Sequence, residues 1–396
     1  MPATAVSSSS FPFSPVLGAA SVLPRVAIIG GGVIGLAIGW RLAAAGCGVT
    51  LFERHGVGRG ASWAAAGMLA AACEAEPGET ALLRLNRHSQ ALWPGFADEV
   101  EAAAGLAVGY RGEGTLLVAL DRDDRARLQA TYEFQRRLGL DLAWLGAAET
   151  GAREPHLSPG LAGAVFSPGD HQVDNRLLTV ALAMAFRRAG GILREHTAVD
   201  AVATAGGRAT GIRIGGDLVP ADFVVLAAGA WSPQIGGLDA IRLFVRPVKG
   251  QMLALRMDPA APLLRHVVWT KQVYLVPRGD GRLIVGGTVE ERGFDDRLTA
   301  GGMLALLEGA WRALPAVEEL PIDEIWVGFR PGSRDDAPLL GPCAIDRLVL
   351  ATGHHRNGIL LTPATAAAIA TFVLTGEVAA AIRPFGIARF TSGKED

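Results

Sequence analysis

Cysteine is scarce. Cys47, Cys73 and Cys343 are scattered through 396 residues, with no C-x-x-C pair and no even framework. That excludes a disulfide-stapled scaffold and a zinc ribbon, leaves no metal site to expect, and fits a reducing cytoplasm. Charge is thin as well: 19% of residues are charged, the net charge is −2, and no run of one sign or basic stripe with interleaved aromatics occurs. Nucleic acid is therefore excluded as a partner, and a small molecule is expected instead. Long apolar runs are missing too. The alanine-rich "TAAAIATFVLTGEVAAAI" is broken by Gly376 and Glu377, so no membrane span is expected. Residues 1–24 are rich in serine and proline but lack a basic n-region, and read as a disordered extension rather than a secretory signal.

Hydrophobic residues, at 50%, are ample for the cores of two domains. The most informative stretch is "VAIIGGGVIGLAIGWRLAAAGCGVTLFER", Val26 to Arg54. An apolar strand leads into Gly30, Gly32 and Gly35 at the G-x-G-x-x-G spacing, then a helix, a second strand and the carboxylate Glu53. The first glycine makes a tight turn, the second lets backbone approach a pyrophosphate, and the third lets helix pack on strand. The helix N-terminus then faces the phosphates, and Glu53 would accept hydrogen bonds from the ribose. The pattern predicts a dinucleotide site without deciding between NAD and FAD.

Further along, "TALLRLNRHSQALWPGFADEVEAAAG" reads as a helix opening a different region, and "VGYRGEGTLLVAL" as paired strands about a Gly-Glu-Gly turn. "DRDDRARLQATYEFQRRLG" reads as an exposed charged helix, and a helix capped by Asp174 follows. "DFVVLAAGAWSPQI" looks like a return to the nucleotide-binding sheet, residues 247–325 read mostly as strands, and "DRLVLATGHHRNGILLTPATAAAIATFVLTG" is again strand, glycine-rich turn and helix. The expected division gives 25–92, 155–243 and 327–385 to the nucleotide domain, 93–154 and 244–326 to a substrate domain, and 386–396 to a tail.

After Pro24, nearly the whole chain resembles the amine-oxidising flavoproteins of the D-amino-acid oxidase family, and within it the glycine oxidase branch. The strings that carry this are "GGGVIGLAI", "SWAAAGMLA", "RPVKGQML", "YLVPRGDGRLIVGGTVE", "WVGFRPGSRDDAPLLG" and "GHHRNGILLTPAT". The resemblance implies an α/β fold: a Rossmann-like FAD-binding domain of the glutathione-reductase type with an inserted α+β substrate domain on a mainly antiparallel sheet. It also implies FAD. The residues agree, since an NAD enzyme has little use for a third glycine-rich loop opening a helix, whereas a reduced flavin suits a helix N-terminus capped by Thr362 with Pro363 in its first turn.

By the same resemblance, Arg330 binds the substrate carboxylate with its planar fork, Tyr274 adds a hydrogen bond to it, and Arg356 lies near the flavin and the substrate entrance. Gly30, Gly32, Val33, Ile34, Glu53, Arg54, Ser62, Ala66, Gly67, Met68, Val199, Gly229, Trp231, Gly353, Asn357, Gly358, Ile359 and Leu360 are assigned, with Arg356, to the cofactor. His354 and His355 are read as packing residues, because solvent can take the ammonium proton of an amino acid. Related sarcosine oxidases tether FAD through a cysteine near the position of Phe329 and Arg330. None stands there, so the FAD is expected to be non-covalent. Val289 occupies a position filled by methionine in glycine oxidases, which suggests a wider pocket.

The implied activity is FAD-dependent oxidative deamination of glycine and other small amines or D-amino acids. Glycine would yield glyoxylate, ammonia and hydrogen peroxide via the imine, with dioxygen as acceptor and a link to the thiazole of thiamine. The alternatives are a D-amino-acid dehydrogenase feeding a quinone and a non-catalytic flavoprotein subunit. A homo-oligomer in the cytoplasm is expected.

Overall fold

The computed structural model describes residues 23–390, so the expected extension lies outside them except for Leu23 and Pro24. Strand Arg25–Ile29 sits inside a six-stranded sheet, flanked in parallel by Gly48–Phe52 and Phe223–Leu226. Ile192–Arg194 and Leu348–Thr352 extend it in parallel on either side, and Leu339–Pro342 closes one edge antiparallel. Both faces are covered, as continuous Val/Ile/Leu runs require. Val26, Ile28, Val49 and Leu51 face a layer of helices, while Ala27, Ile29, Val224 and Leu226 face a three-stranded meander, Ala201–Ala205, Arg208–Ile214 and Asp217–Pro220.

The helical layer holds Val33–Ala44, Asn175–Arg188, Thr362–Thr375 and the 25-residue helix Thr80–Ala104. The last was expected to open a different region. Instead Leu82, Leu85, Trp93, Phe96 and Val100, spaced three, eight, three and four apart and so on one helical face, present one apolar stripe to the other three helices. Asp174 caps its helix as expected, accepting from the backbone N–H of Arg176 and Leu177.

A second sheet of eight strands is antiparallel throughout except where Thr115–Ala119 runs parallel to Val267–Trp269. Two of its strands come from segments expected in the nucleotide domain. Gly163–Ser167 pairs along its whole length with Thr115–Ala119, and Ile322–Ser333 pairs with Val245–Arg256 from Ser333 back to Ile322. Arg330 therefore stands on this sheet. The hairpin expected about Gly112–Gly114 does not form; residues 108–111 contribute only a bridge from Arg111 to Gln172. Nor are residues 386–390 a tail: Ile387 is buried, and Arg389 holds Asp335 through Nε at 2.8 Å. Among the described residues, no helix is long and apolar enough to cross a membrane, and no His, Cys, Asp and Glu cluster could hold a metal.

Candidate functional site

The glycine loop is built by contacts that admit no side chain. Gly30 adopts φ 111°, and a β-carbon on it would lie 2.4 Å from the carbonyl oxygen of Ala227; one on Gly35 would lie 2.1 Å from that of Gly30. Glu53 closes the loop from the second strand. Its Oε2 accepts from the Gly31 N–H at 2.8 Å and its Oε1 from the His55 N–H at 3.0 Å. Each oxygen keeps a lone pair for a ribose hydroxyl. Ser62 Oγ accepts from the Val33 N–H at 3.0 Å and so caps the helix that Gly32 cannot cap.

These elements form one wall of a cavity of about 1100 Å³ that runs on between the two sheets. Gly30, Gly32, Val33, Ile34, Glu53, Arg54, Ser62, Ala66, Gly67, Met68, Val199, Gly229, Trp231, Tyr274, Arg330, Arg356, Gly358 and Ile359 all line it. Gly353, Asn357 and Leu360 do not. Gly353 supplies a left-handed turn (φ 72°), Asn357 is buried, and the Leu360 carbonyl is taken from behind by Trp93 Nε1 at 2.8 Å and Ser89 Oγ at 2.6 Å. They shape the loop from behind the cavity wall. Thr362 is likewise displaced: it is the first helical residue, with Leu361 at the cap, and its Oγ1 donates to the Gly358 carbonyl. Trp231 stacks on Phe294 with Arg54, a cavity-wall residue, over its ring at 4.1 Å, so its ring is held by protein groups.

At the far end, Arg330 and Tyr274 reach in from neighbouring parts of the eight-stranded sheet. Arg330 Nη1 donates to the Thr288 carbonyl at 3.0 Å, and no carboxylate among the described residues pairs with it. Tyr274 Oη donates to Met252 Sδ at 3.4 Å; burial raises the phenol pKa, while the Arg330 charge lowers it. Three glycines keep the space open. A β-carbon on Gly250 would stand 2.5 Å from Arg330 Nη1, and those on Gly286 and Gly287 would stand 2.5 and 2.9 Å from Tyr274 Oη. Val289 lies at the rim and is 72% exposed, so its side chain narrows the cavity little.

Arg356 lines the cavity but is already paired. Its Nε holds Glu74 Oε2 at 2.7 Å, and its Nη2 reaches Glu76 and Glu79 at 3.4 and 3.5 Å. Three carboxylates thus occupy it, whereas Arg330 on the same wall has no carboxylate partner among the described residues. His354 is buried beside Thr365 Oγ1, and burial drives its pKa down to about 3; burial also takes His355 down to about 4 against the pull of Asp336. Both are neutral at pH 7. Cys73 is the cysteine on the cavity wall, but burial and the Asp170 charge push its thiol well above the ordinary range, away from the reactive thiolate.

Residues 25–371 match the family described as FAD dependent oxidoreductase. The chain belongs to that family. It is 38% identical to the glycine oxidase of Geobacillus kaustophilus over 92% of this chain and 96% of that protein. The crystal structure of G. kaustophilus glycine oxidase superposes with a TM-score of 0.86, covering 92% of this chain and 99% of that one. The iminodiacetate oxidase of Chelativorans sp. BNC1 follows the same fold at 28% identity, TM-score 0.83, covering 91% of this chain and 98% of that chain. A ThiO/ThiG bifunctional protein of Trichormus variabilis is 36% identical over 92% of this chain, which spans about half (55%) of its length.

FAD, the cofactor of this oxidoreductase family, fits what is built here. The cavity is larger than the roughly 300–1000 Å³ common for drug-sized ligands, and it stretches from Glu53 and Val199 past the glycine loop to Gly358, Ile359 and Arg330. Two residues of this oxidoreductase escaped sequence reasoning. Arg278 is fully enclosed and donates to the carbonyls of Ala66 and Val173, to Gln172 Oε1 and to Asn175 Oδ1, pinning the Ala66–Gly67 segment. Only its place after a strand, in "YLVPRG", hinted at it. The other is Glu74, a carboxylate on the cavity wall whose pKa burial raises to about 7.

Proposed function

We propose that the protein is an amine oxidase of the glycine oxidase type. It converts glycine and other small amines or D-amino acids to the imine, which water opens to the oxo acid and ammonia, with dioxygen leaving as hydrogen peroxide. The observation that carries this reading is Arg330, a guanidinium on the cavity wall that donates to the Thr288 carbonyl and pairs with no carboxylate among the described residues. An arginine left this way beside a phenol donor suits a carboxylate ligand. A non-catalytic flavoprotein has no need of it.

In this reading the six-stranded sheet is the FAD domain, of the glutathione-reductase type, and the eight-stranded sheet is the inserted substrate domain. Glu53, the glycine loop, Ser62 through Met68, Val199 and Gly358–Ile359 hold the cofactor, with Arg54 and Trp231 beside it. Bound there, FAD supplies the two-electron acceptor for the amine. The fork of Arg330 fixes both carboxylate oxygens, and the protonated Tyr274 phenol donates a further hydrogen bond. Together they orient Cα, and orientation is what the protein chiefly contributes. The ThiO/ThiG relative supports a link to thiamine thiazole synthesis, where the imine itself is consumed. The enzyme acts as a homo-oligomer in the cytoplasm.

Anaerobic addition of glycine should bleach the yellow protein, and air should restore the colour with one hydrogen peroxide per flavin. Restoration by a quinone but not by air would instead identify a dehydrogenase. Failure of every small amino acid to bleach it would refute the amine-oxidase reading.

A further inference from the structure

Glu74 is left without a task by this reading, although its setting is costly to build. Its side chain is 9% exposed and lies on the cavity wall shared with Arg330 and Tyr274. The loop carrying it is fixed from below. Asp170 accepts from the Ala72 N–H at 3.0 Å and the Cys73 N–H at 2.7 Å, and Gln135 Nε2 donates to the Ala72 carbonyl at 2.9 Å. Oε2 is held by Arg356 at 2.7 Å, whereas Oε1 takes no hydrogen bond among the described residues. Arg356 is a diluted counterion, because it also serves Glu76 and Glu79. The groups that bear on Glu74 are thus Arg356 and Arg330, which favour its charge, and Asp170, which opposes it; Tyr274 and Cys73 stand close enough to feel it in turn. Burial outweighs the two arginines and leaves the carboxyl poised near neutrality, at about 7.

We propose that Glu74 is the catalytic base that takes the ammonium proton of an amino acid whose carboxylate is held by Arg330. The inference rests on the amine-oxidase reading above. An N–H bond of the ammonium breaks, its electron pair stays on nitrogen as the amine lone pair, and the proton forms an O–H bond at Glu74 Oε1. Nothing is oxidised in this step. It prepares the neutral amine that the oxidation requires, and the proton later leaves to solvent past the exposed Glu76. The solvent route expected from sequence is replaced by a side chain whose affinity for a proton matches the working pH.

Glu74→Gln tests this in the holoenzyme, since the amide oxygen still accepts from Arg356. Two measurements are made on protein of matched flavin content. In the first, the rate of anaerobic bleaching by glycine is followed against pH. The native protein should show an inflection near pH 7; the variant should lose it and slow by about 10²-fold. In the second, binding is titrated with α-aminoisobutyrate, which has no Cα hydrogen to lose, and with isobutyrate, which has no amine. The variant should bind the first about tenfold more weakly and the second unchanged. Equal rates and the same inflection in both proteins, or equal losses for both ligands, would overturn the proposal. Native protein that bleaches without an inflection near neutrality refutes Glu74 alone. Native protein that neither bleaches nor binds either ligand refutes the amine-oxidase reading, and Glu74 with it.

Discussion

Arg278 Nη2 donates to the carbonyl oxygen of Ala66 at 2.7 Å, joining the end of a strand in the antiparallel sheet to the segment that follows the glycine loop. The same guanidinium leans on Asp174, whose other duties are to cap a helix and to hold Arg282 at 2.6 Å. Burial lowers the Arg278 pKa only to about 10, so it is charged at pH 7.

Arg278→Met should therefore destabilise the protein by about 3–5 kcal/mol, as removal of one partner of a buried charge pair does. It should also loosen the Ala66–Met68 wall. Thermal unfolding and the flavin retained after gel filtration check both effects. Normal flavin retention at a lowered melting temperature would make Arg278 a stability element alone.

Arg330→Lys should raise KM for glycine by at least about tenfold, because a point charge cannot replace a bidentate fork worth roughly 1.5–3 kcal/mol. An amine without a carboxylate should change little. Gly250→Ala should mimic the defect with Arg330 intact, since the new β-carbon would displace Nη1 from 2.5 Å. Equal losses for both substrates in the lysine variant would show Arg330 to be structural.

Glu53→Ala removes a charged acceptor from the Gly31 and His55 N–H groups as well as from the ribose, and should weaken FAD retention by roughly 1.5–3 kcal/mol. Acid precipitation of the native protein should leave the yellow colour in the supernatant. Colour in the pellet would mean a covalent flavin, with Cys73 the first thiol to inspect.

Acid stability carries the mark of His354. Its pKa is about 3 when folded against about 6.5 unfolded, so the unfolded chain binds the extra proton first. The stability present above pH 6.5 should be lost as pH falls, by about 2 kcal/mol at pH 5. Glu74, raised from 4.5 to about 7, tilts the opposite way between those values. The clean measurement is thus the difference between native protein and His354→Gln in denaturant titrations, which should flatten below pH 6.5; identical slopes would show that His354 charges without unfolding.

The parts of this site legible in sequence were those set by neighbours in the chain. Gly30, Gly32, Gly35 and Glu53 lie within one strand–helix–strand unit, where spacing fixes geometry. Arg330 and Tyr274 were reached through family strings and not through any local pattern. What stayed hidden depends on distant partners. No local pattern announces that Arg356 is paired with Glu74, nearly three hundred residues earlier, or that Asp170 lies beneath the Glu74 loop. Helix Thr80–Ala104 was misplaced because an apolar stripe announces that it packs, not against what. Asn357 and Leu360 belong to the same loop but stand off the cavity wall, a matter of rotation that a glycine-rich string does not encode.

The glycine loop has a consequence for how the chain is made. Gly30 is pressed against Ala227, and the cavity wall collects residues from Ile29 to Ile359. A ribosome delivering this protein vectorially exposes the strand Arg25–Ile29, its loop and Glu53 first, yet the backing strand arrives some two hundred residues later and the loop after Thr352 more than a hundred residues after that. The apolar strand Arg25–Ile29 must wait, unsheathed on its Phe223–Leu226 edge, until that strand has emerged. Chaperone demand should therefore fall in two steps, as Phe223–Leu226 covers that edge and as the segment after Leu348 completes the cofactor's berth.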